Sequence, residues 1–109
     1  MVTAEVAVAL PALVLVLTLA LGAVTAMTDQ LRCVDAARTG ARLLARGEAV
    51  DEVRRQVADQ APADARIALD IGAESVRVEV DADLPKVLAG LGVGARPHGV
   101  AHAVPEDPA

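Results

Sequence analysis

The sequence contains no Phe, Tyr or Trp, and only one cysteine, Cys33. A soluble domain normally uses aromatic rings as its largest core pieces, and single-strand nucleic-acid binders use them as stacking platforms. Neither device is available here. Basic charge is also scarce, with 10 Lys and Arg against 15 Asp and Glu and a net charge of -5. A partner held through its phosphate backbone needs a basic face, so nucleic acid is excluded as a ligand. One cysteine cannot close an intrachain disulfide, which excludes a disulfide scaffold. What the chain has in abundance is Val, Leu and Ala, and 54% of its 109 residues are hydrophobic. That much apolar surface must be buried somewhere, so a disordered chain is excluded as well.

Charge and apolar residues are sharply separated along the sequence. Between Val6 and Thr28 there is no charged residue, while every charged residue except Glu5 lies from Asp29 onward. At about 1.5 Å of rise per residue, a helix over 6–28 would be about 34 Å long, enough to cross a hydrocarbon core of about 30 Å. The run therefore reads as a membrane-spanning helix. A cleavable secretory signal is the competing reading, with a mature end near Thr25 to Thr28, but no Lys or Arg precedes the run and the run is too long for an h-region. Pro11 lacks a backbone donor and is expected to bend the helix, freeing the carbonyl of Ala7. Gly22, Ala23 and Ala26 form a small-residue strip on which another helix could pack closely.

The helical pattern continues past the uncharged run. Leu31, Val34, Ala37, Ala41 and Leu44 keep spacings of three and four, with Arg38, Arg42 and Arg46 on another stripe and Gly47 placed to cap the end. Residues 1–47 thus read as one long helix, apolar in its first half and amphipathic in its second. Residues 48–109 read as a small head. Val50, Val53 and Val57 predict a second, shorter helix that ends at Pro62. The period then changes to two: Ile67, Leu69 and Ile71 form one strand and Val76, Val78 and Val80 the next, joined by a turn over 72–75. A short helical turn opening at Pro85, a glycine-rich loop and a third strand over 100–104 complete an α+β class with a small antiparallel sheet of about three strands. One of the two helices is expected to cover the apolar sheet face, because an isolated hairpin is marginally stable.

Catalytic chemistry is thinly represented. Ser75 is the only serine and falls in the expected turn, and no phosphate loop or paired-carboxylate constellation is present. His98 and His102 are four apart, which on a helix could bind metal, but Gly99 and the alternating Val100 and Val104 favour a loop and strand, where the pair shares one face and offers only weak adventitious binding. No catalytic residue, metal site or cofactor is expected. Cys33 reads as a small buried hydrophobe, with an intermolecular disulfide as the alternative. Glu5 stands out. Placed at the centre of a membrane helix it would cost about 2.5–3.5 kcal/mol, so a buried Glu5 needs a cationic partner. The nearest cation in the chain is the α-amino group of Met1.

Met1-Val2-Thr3-Ala4-Glu5, followed by the apolar stretch from Val6 to Leu17 with Pro11 inside it, resembles the mature N-terminus of actinobacterial TadE-like proteins, minor pilins of the type IVb (Tad/Flp) pilus class. The run from Val34 to Arg42 resembles the segment after the span in that family, and the late hairpin and third strand match its layout. The resemblance implies a non-enzymatic, single-pass protein of the plasma membrane with its head outside, serving in a cell-surface pilus or its assembly. It implies a prepilin peptidase that leaves Met1 as the new terminus. It also implies a Glu5 that guides assembly by pairing with a neighbouring subunit's amine, and other pilins as partners of the N-terminal helix. No leader precedes Met1 in this sequence, and Arg32, Arg38, Arg42 and Arg46 would by the positive-inside rule place their flank in the cytoplasm; a basic leader upstream would reverse that balance. Two other readings use the same residues: a generic single-span anchor whose head binds or regulates a partner, and a secreted binding domain.

Overall fold

The structure is a computed structural model that describes residues 2–106. Its six elements are, in chain order, α1 (Val2–Ala45), α2 (Val50–Gln60), β1 (Arg66–Ile71), β2 (Val76–Asp81), α3 (Lys86–Ala89) and β3 (His98–Ala103). The molecule is 79 Å long and 21 × 16 Å across, because α1 projects beyond everything packed on it. Its fold is α+β, as expected from the change of period.

The helix ends where the sequence places its cap. Gly47 has φ +85°, a left-handed conformation that a residue without Cβ adopts at little cost. Its N–H donates to the carbonyl of Leu44 at 3.0 Å, and the N–H of Glu48 donates to that of Leu43 at 3.1 Å. Those two bonds make a Schellman end, which satisfies carbonyls that have no partner within the helix. A third comes from the far end of the chain, where the Glu106 N–H donates to Ala45 at 2.8 Å.

The sheet has the order β1-β2-β3, antiparallel throughout. Val76, Val78 and Val80 of the central strand are fully buried against α1 and α2, together with Val53 and Val57 of α2. Both helices contribute to the cover, and Thr39 Oγ1 of α1 donates to Gln60 Oε1 of α2 at 2.9 Å. The centre of the core thus consists of valines set against small residues of α1.

Three expectations need correction in detail. Helical spacing puts Leu31 on the buried stripe of α1, but Leu31 is 65% exposed; the buried seam runs instead through Cys33, Ala36, Ala37, Gly40, Ala41 and Leu44. Alternation puts Ile71 on the covered face of the sheet, and it too is exposed, at the hairpin end. The third strand begins two residues earlier than expected, at His98, and ends at Ala103. Its inward residues are Gly99, Ala101 and Ala103, while Val100 lies on the outer face and Val104 falls beyond the strand.

One cause accounts for the seam and for the inward face of β3. An ideal Cβ on Gly99 would lie 2.4 Å from the Cys33 carbonyl oxygen and 2.6 Å from the Val34 Cα. Helix and strand backbones are nearly in contact there, so only small side chains fit on either side.

Candidate functional site

Two surfaces carry the features from which function can be read: the outer face of the head sheet and the free half of α1. The outer face is a ladder of charges. Register pairs Arg66 with Asp81 and Asp81 with His98 in one row, and Asp70 with Arg77 and Arg77 with His102 in another. Arg66 donates to Asp81 through both Nε at 3.1 Å and Nη2 at 2.8 Å, and to Asp83 at 3.2 Å. His98 Nε2 lies 2.9 Å from Glu79 Oε1, whose other oxygen meets Arg77 Nη1 at 3.1 Å. His98 and His102 do share this face, as the spacing of four requires, but His98 is engaged with a carboxylate and His102 stands across from an arginine.

These partners set the carboxylates' acidity. The contact with His98, helped by the charge of Arg77, holds Glu79 below its ordinary value of 4.5. The Arg66 hydrogen bonds hold Asp81 below 3.8. A carboxylate whose folded value is depressed adds stability that is complete above its unfolded value and is lost as pH falls through the folded one. The head is therefore expected to lose stability progressively below about pH 4.5, and Glu79→Gln is expected to flatten that decline. Denaturant unfolding followed from pH 6 to pH 3 checks both. The pairs are half exposed, so each contributes little on its own at neutral pH.

Gln30, which no sequence motif marks, joins α1 to the start of β3. Its Nε2 donates to the His98 carbonyl at 2.7 Å, and its Oε1 accepts from the His98 N–H at 2.7 Å. A side-chain amide here takes the place of a neighbouring strand. That pairing, with the Ala82 N–H donating to Pro97 at 3.0 Å, explains why β3 starts early. The contact joins residues 68 apart, and no local pattern announces it. Cys33, one turn along, is fully buried, and burial together with the Asp29 charge pushes its thiol up to about 11. A thiol in that state is a packing element rather than a nucleophile or a partner for disulfide exchange.

The free half of α1 is different in kind. It is long and apolar enough to cross a membrane. Val8, Leu13, Val14, Leu15, Val16 and Leu17 are each more than half exposed, so no wet face and no covered face can be distinguished. Two of its hydroxyls are turned back on the helix: Thr18 Oγ1 donates to the Val14 carbonyl at 2.8 Å and Thr25 Oγ1 to that of Leu21 at 2.9 Å. Glu5 lies exposed in the first turn, and α1 continues without interruption through Pro11. Met1, the expected processed terminus, lies outside the described residues.

The small-residue strip divides. Gly22 is buried, and an ideal Cβ there would lie 2.7 Å from Val87 Cγ1, so α3 of this same chain already occupies that close approach. Ala23 remains exposed, and Ala26 lines a groove between α1 and the loop after β2. The structure thus brings Gly22 to the head and leaves Glu5 and Ala23 on the free surface of α1.

Comparison with known proteins adds one relative. The chain is 51% identical over 59 residues to a protein of Mycobacterium tuberculosis named "Apoptosis inhibitor Rv3655c"; the match covers 52% of this chain and 47% of that one. This chain therefore spans about half the length of the curated relative it matches. No known protein-family profile matches the chain, and no solved structure matches it.

Proposed function

We propose that this chain is a membrane-anchored, pilin-like minor subunit or assembly factor of a type IVb (Tad) pilus. In this reading the first half of α1 lies in the plasma membrane and then among other pilin helices, and the head stands outside. One observation carries the reading: a single unbroken 44-residue helix is bare and apolar in its first half and is the spine of a small α+β head in its second. Such a helix can leave a bilayer for a helical bundle without changing its own structure. Glu5 supplies the register. In an apolar bundle its carboxylate attracts the N-terminal ammonium of a neighbouring subunit, and the pair offsets two desolvation costs only when both members are in place. A prepilin peptidase would expose that ammonium at Met1.

The buried contact of Gly22 with α3 supports an uncleaved helix, because a mature chain starting near Thr25 to Thr28 would lack it. Glu5→Ala and Glu5→Gln are expected to leave the amount in membranes unchanged. In the sheared surface-filament fraction both should fall by about tenfold or more, since breaking a buried ion pair costs about 3–5 kcal/mol. Normal yield of either variant in that fraction would remove Glu5 from the mechanism.

The name of the Mycobacterium tuberculosis relative favours a second reading, in which the head binds and inhibits a protein of a cell-death process and α1 is only its anchor. That reading predicts full function after residues 6–28 are replaced by an unrelated apolar helix. The pilin reading predicts that function is lost with them.

A further inference from the structure

The loop between β2 and β3 touches α1 at a level where a membrane protein has lipid around it. Gly22 lies six residues before the end of the uncharged run at Thr28, which places it about 9 Å inside that end along the helix. There it is covered by Val87, with Leu88 Cγ 3.5 Å from an ideal Cβ. If residues 6–28 span a bilayer, α3 cannot stand in water.

The composition of the segment fits that depth. Residues 84–95 carry a single charge, Lys86, whose long side chain can reach outward to the headgroups. Asp83 and Arg96 close the segment on either side, and Arg96 lines the groove beside Gln30 and Leu31, just past the uncharged run. Leu91 is 64% and Val93 44% exposed, so the segment keeps large apolar side chains uncovered.

Backbone satisfaction is the second, independent observation. Leu88 and Ala89 donate to the Pro85 carbonyl, Gly90 to Lys86, Leu91 to Leu88 and Gly92 to Ala89, all at 2.9–3.1 Å. Five successive N–H groups, those of residues 88–92, are thus paired within the segment itself, which lowers the cost of bringing that turn of backbone against lipid.

We propose that residues 84–95 form a second membrane-contacting element, a short apolar wedge seated in the headgroup and upper acyl region beside α1, with Leu91 and Val93 in lipid. The occupant of this face is the bilayer, because any other partner at the level of Gly22 would itself have to be immersed. Two contacts, helix and wedge, fix the head's height and its rotation about α1, so that the charged sheet face is presented in one orientation. The proposal rests on the membrane-anchor part of the functional reading and on nothing about pili.

The test uses the full chain with Cys33→Ala, reconstituted in phosphatidylcholine and phosphatidylglycerol vesicles. An environment-sensitive fluorophore is attached in turn at Leu91→Cys, Val93→Cys, Val14→Cys and Ser75→Cys, the last in the hairpin turn at the far end of the head. Blue-shifted emission and several-fold stronger quenching by brominated lipids at 91 and 93 than at 75 are expected. Quenching at 14 but water-like emission at 91 and 93 would overturn the wedge alone. A blue shift at 91 without lipid quenching would mean that protein covers it, which also overturns the assignment to lipid. Water-like emission at 14 would overturn the anchor reading, and the wedge with it.

Discussion

Gly99→Ala is expected to remove most of the head's stability, whereas Gly94→Ala, five residues earlier in the loop before β3, is expected to leave it unchanged. The difference is one of surroundings. A methyl group on Gly94 would meet nothing within 4 Å. On Gly99 it would lie 2.4 Å from the Cys33 carbonyl oxygen and 2.5 Å from its carbonyl carbon, and backbone atoms in the middle of a helix cannot swing aside as a side-chain end can. Relief requires β3 to move off α1 as a body. That motion would break the Gln30 pairing and open the contacts of Ala101 and Ala103. Overpacking of this kind costs about 1–3 kcal/mol, and contact with backbone puts Gly99→Ala at the upper end. A head of this size holds about 5 kcal/mol in total, so most of its stability is removed. Hydrogen exchange of the β3 amides measures the effect: protection should collapse in Gly99→Ala and persist in Gly94→Ala.

Val78→Asp is expected to separate the two halves of the molecule. Val78 has no exposed surface, sits on the central strand opposite Leu69 and Ala101, and belongs to the cluster that α1 and α2 close. Losing the valine removes about 2 kcal/mol of burial. The carboxylate then has no cation within the core, so it must either stay charged at large cost or take a proton. Either way the head loses its ordered state, while the uncharged half of α1 keeps all of its apolar surface. Limited proteolysis of membranes carrying this variant is expected to cleave residues 48–106 rapidly and to leave a membrane-bound fragment containing residues 6–28. A protease-resistant head would show that the valine cluster is not what holds the sheet to the helix.

Much of the architecture can be read from periodicity. The long helix, its Gly47 end, the second helix before Pro62 and the hairpin are set by local patterns: spacings of three and four, a residue suited to positive φ, and strict alternation. Features that depend on distance between elements cannot be read in this way. The third strand reads as 100–104 from its valines, yet it runs from His98 to Ala103 and the nearness of α1 selects Gly99, Ala101 and Ala103 for its inner face. Gln30 reads as an ordinary polar residue at the end of a greasy run, and its role exists only because β3 returns to it from the far end of the chain. Of the strip Gly22, Ala23 and Ala26, Gly22 is approached closely by α3 of the same chain, a contact between distant segments that no local pattern specifies. Of the candidate assembly residues, Glu5 is legible because a lone acid before an uncharged run is conspicuous. Its proposed partner, by contrast, belongs to another molecule.

Mass spectrometry of the N-terminus of the native protein, recovered separately from membranes and from sheared surface filaments, tests the pilin reading most directly. The expected result is a chain whose residue 1 is the Met1 position with its amine free or methylated, α1 intact, in both fractions. A mature chain that begins near Thr25 to Thr28, or one found only in the soluble secreted fraction, would contradict it.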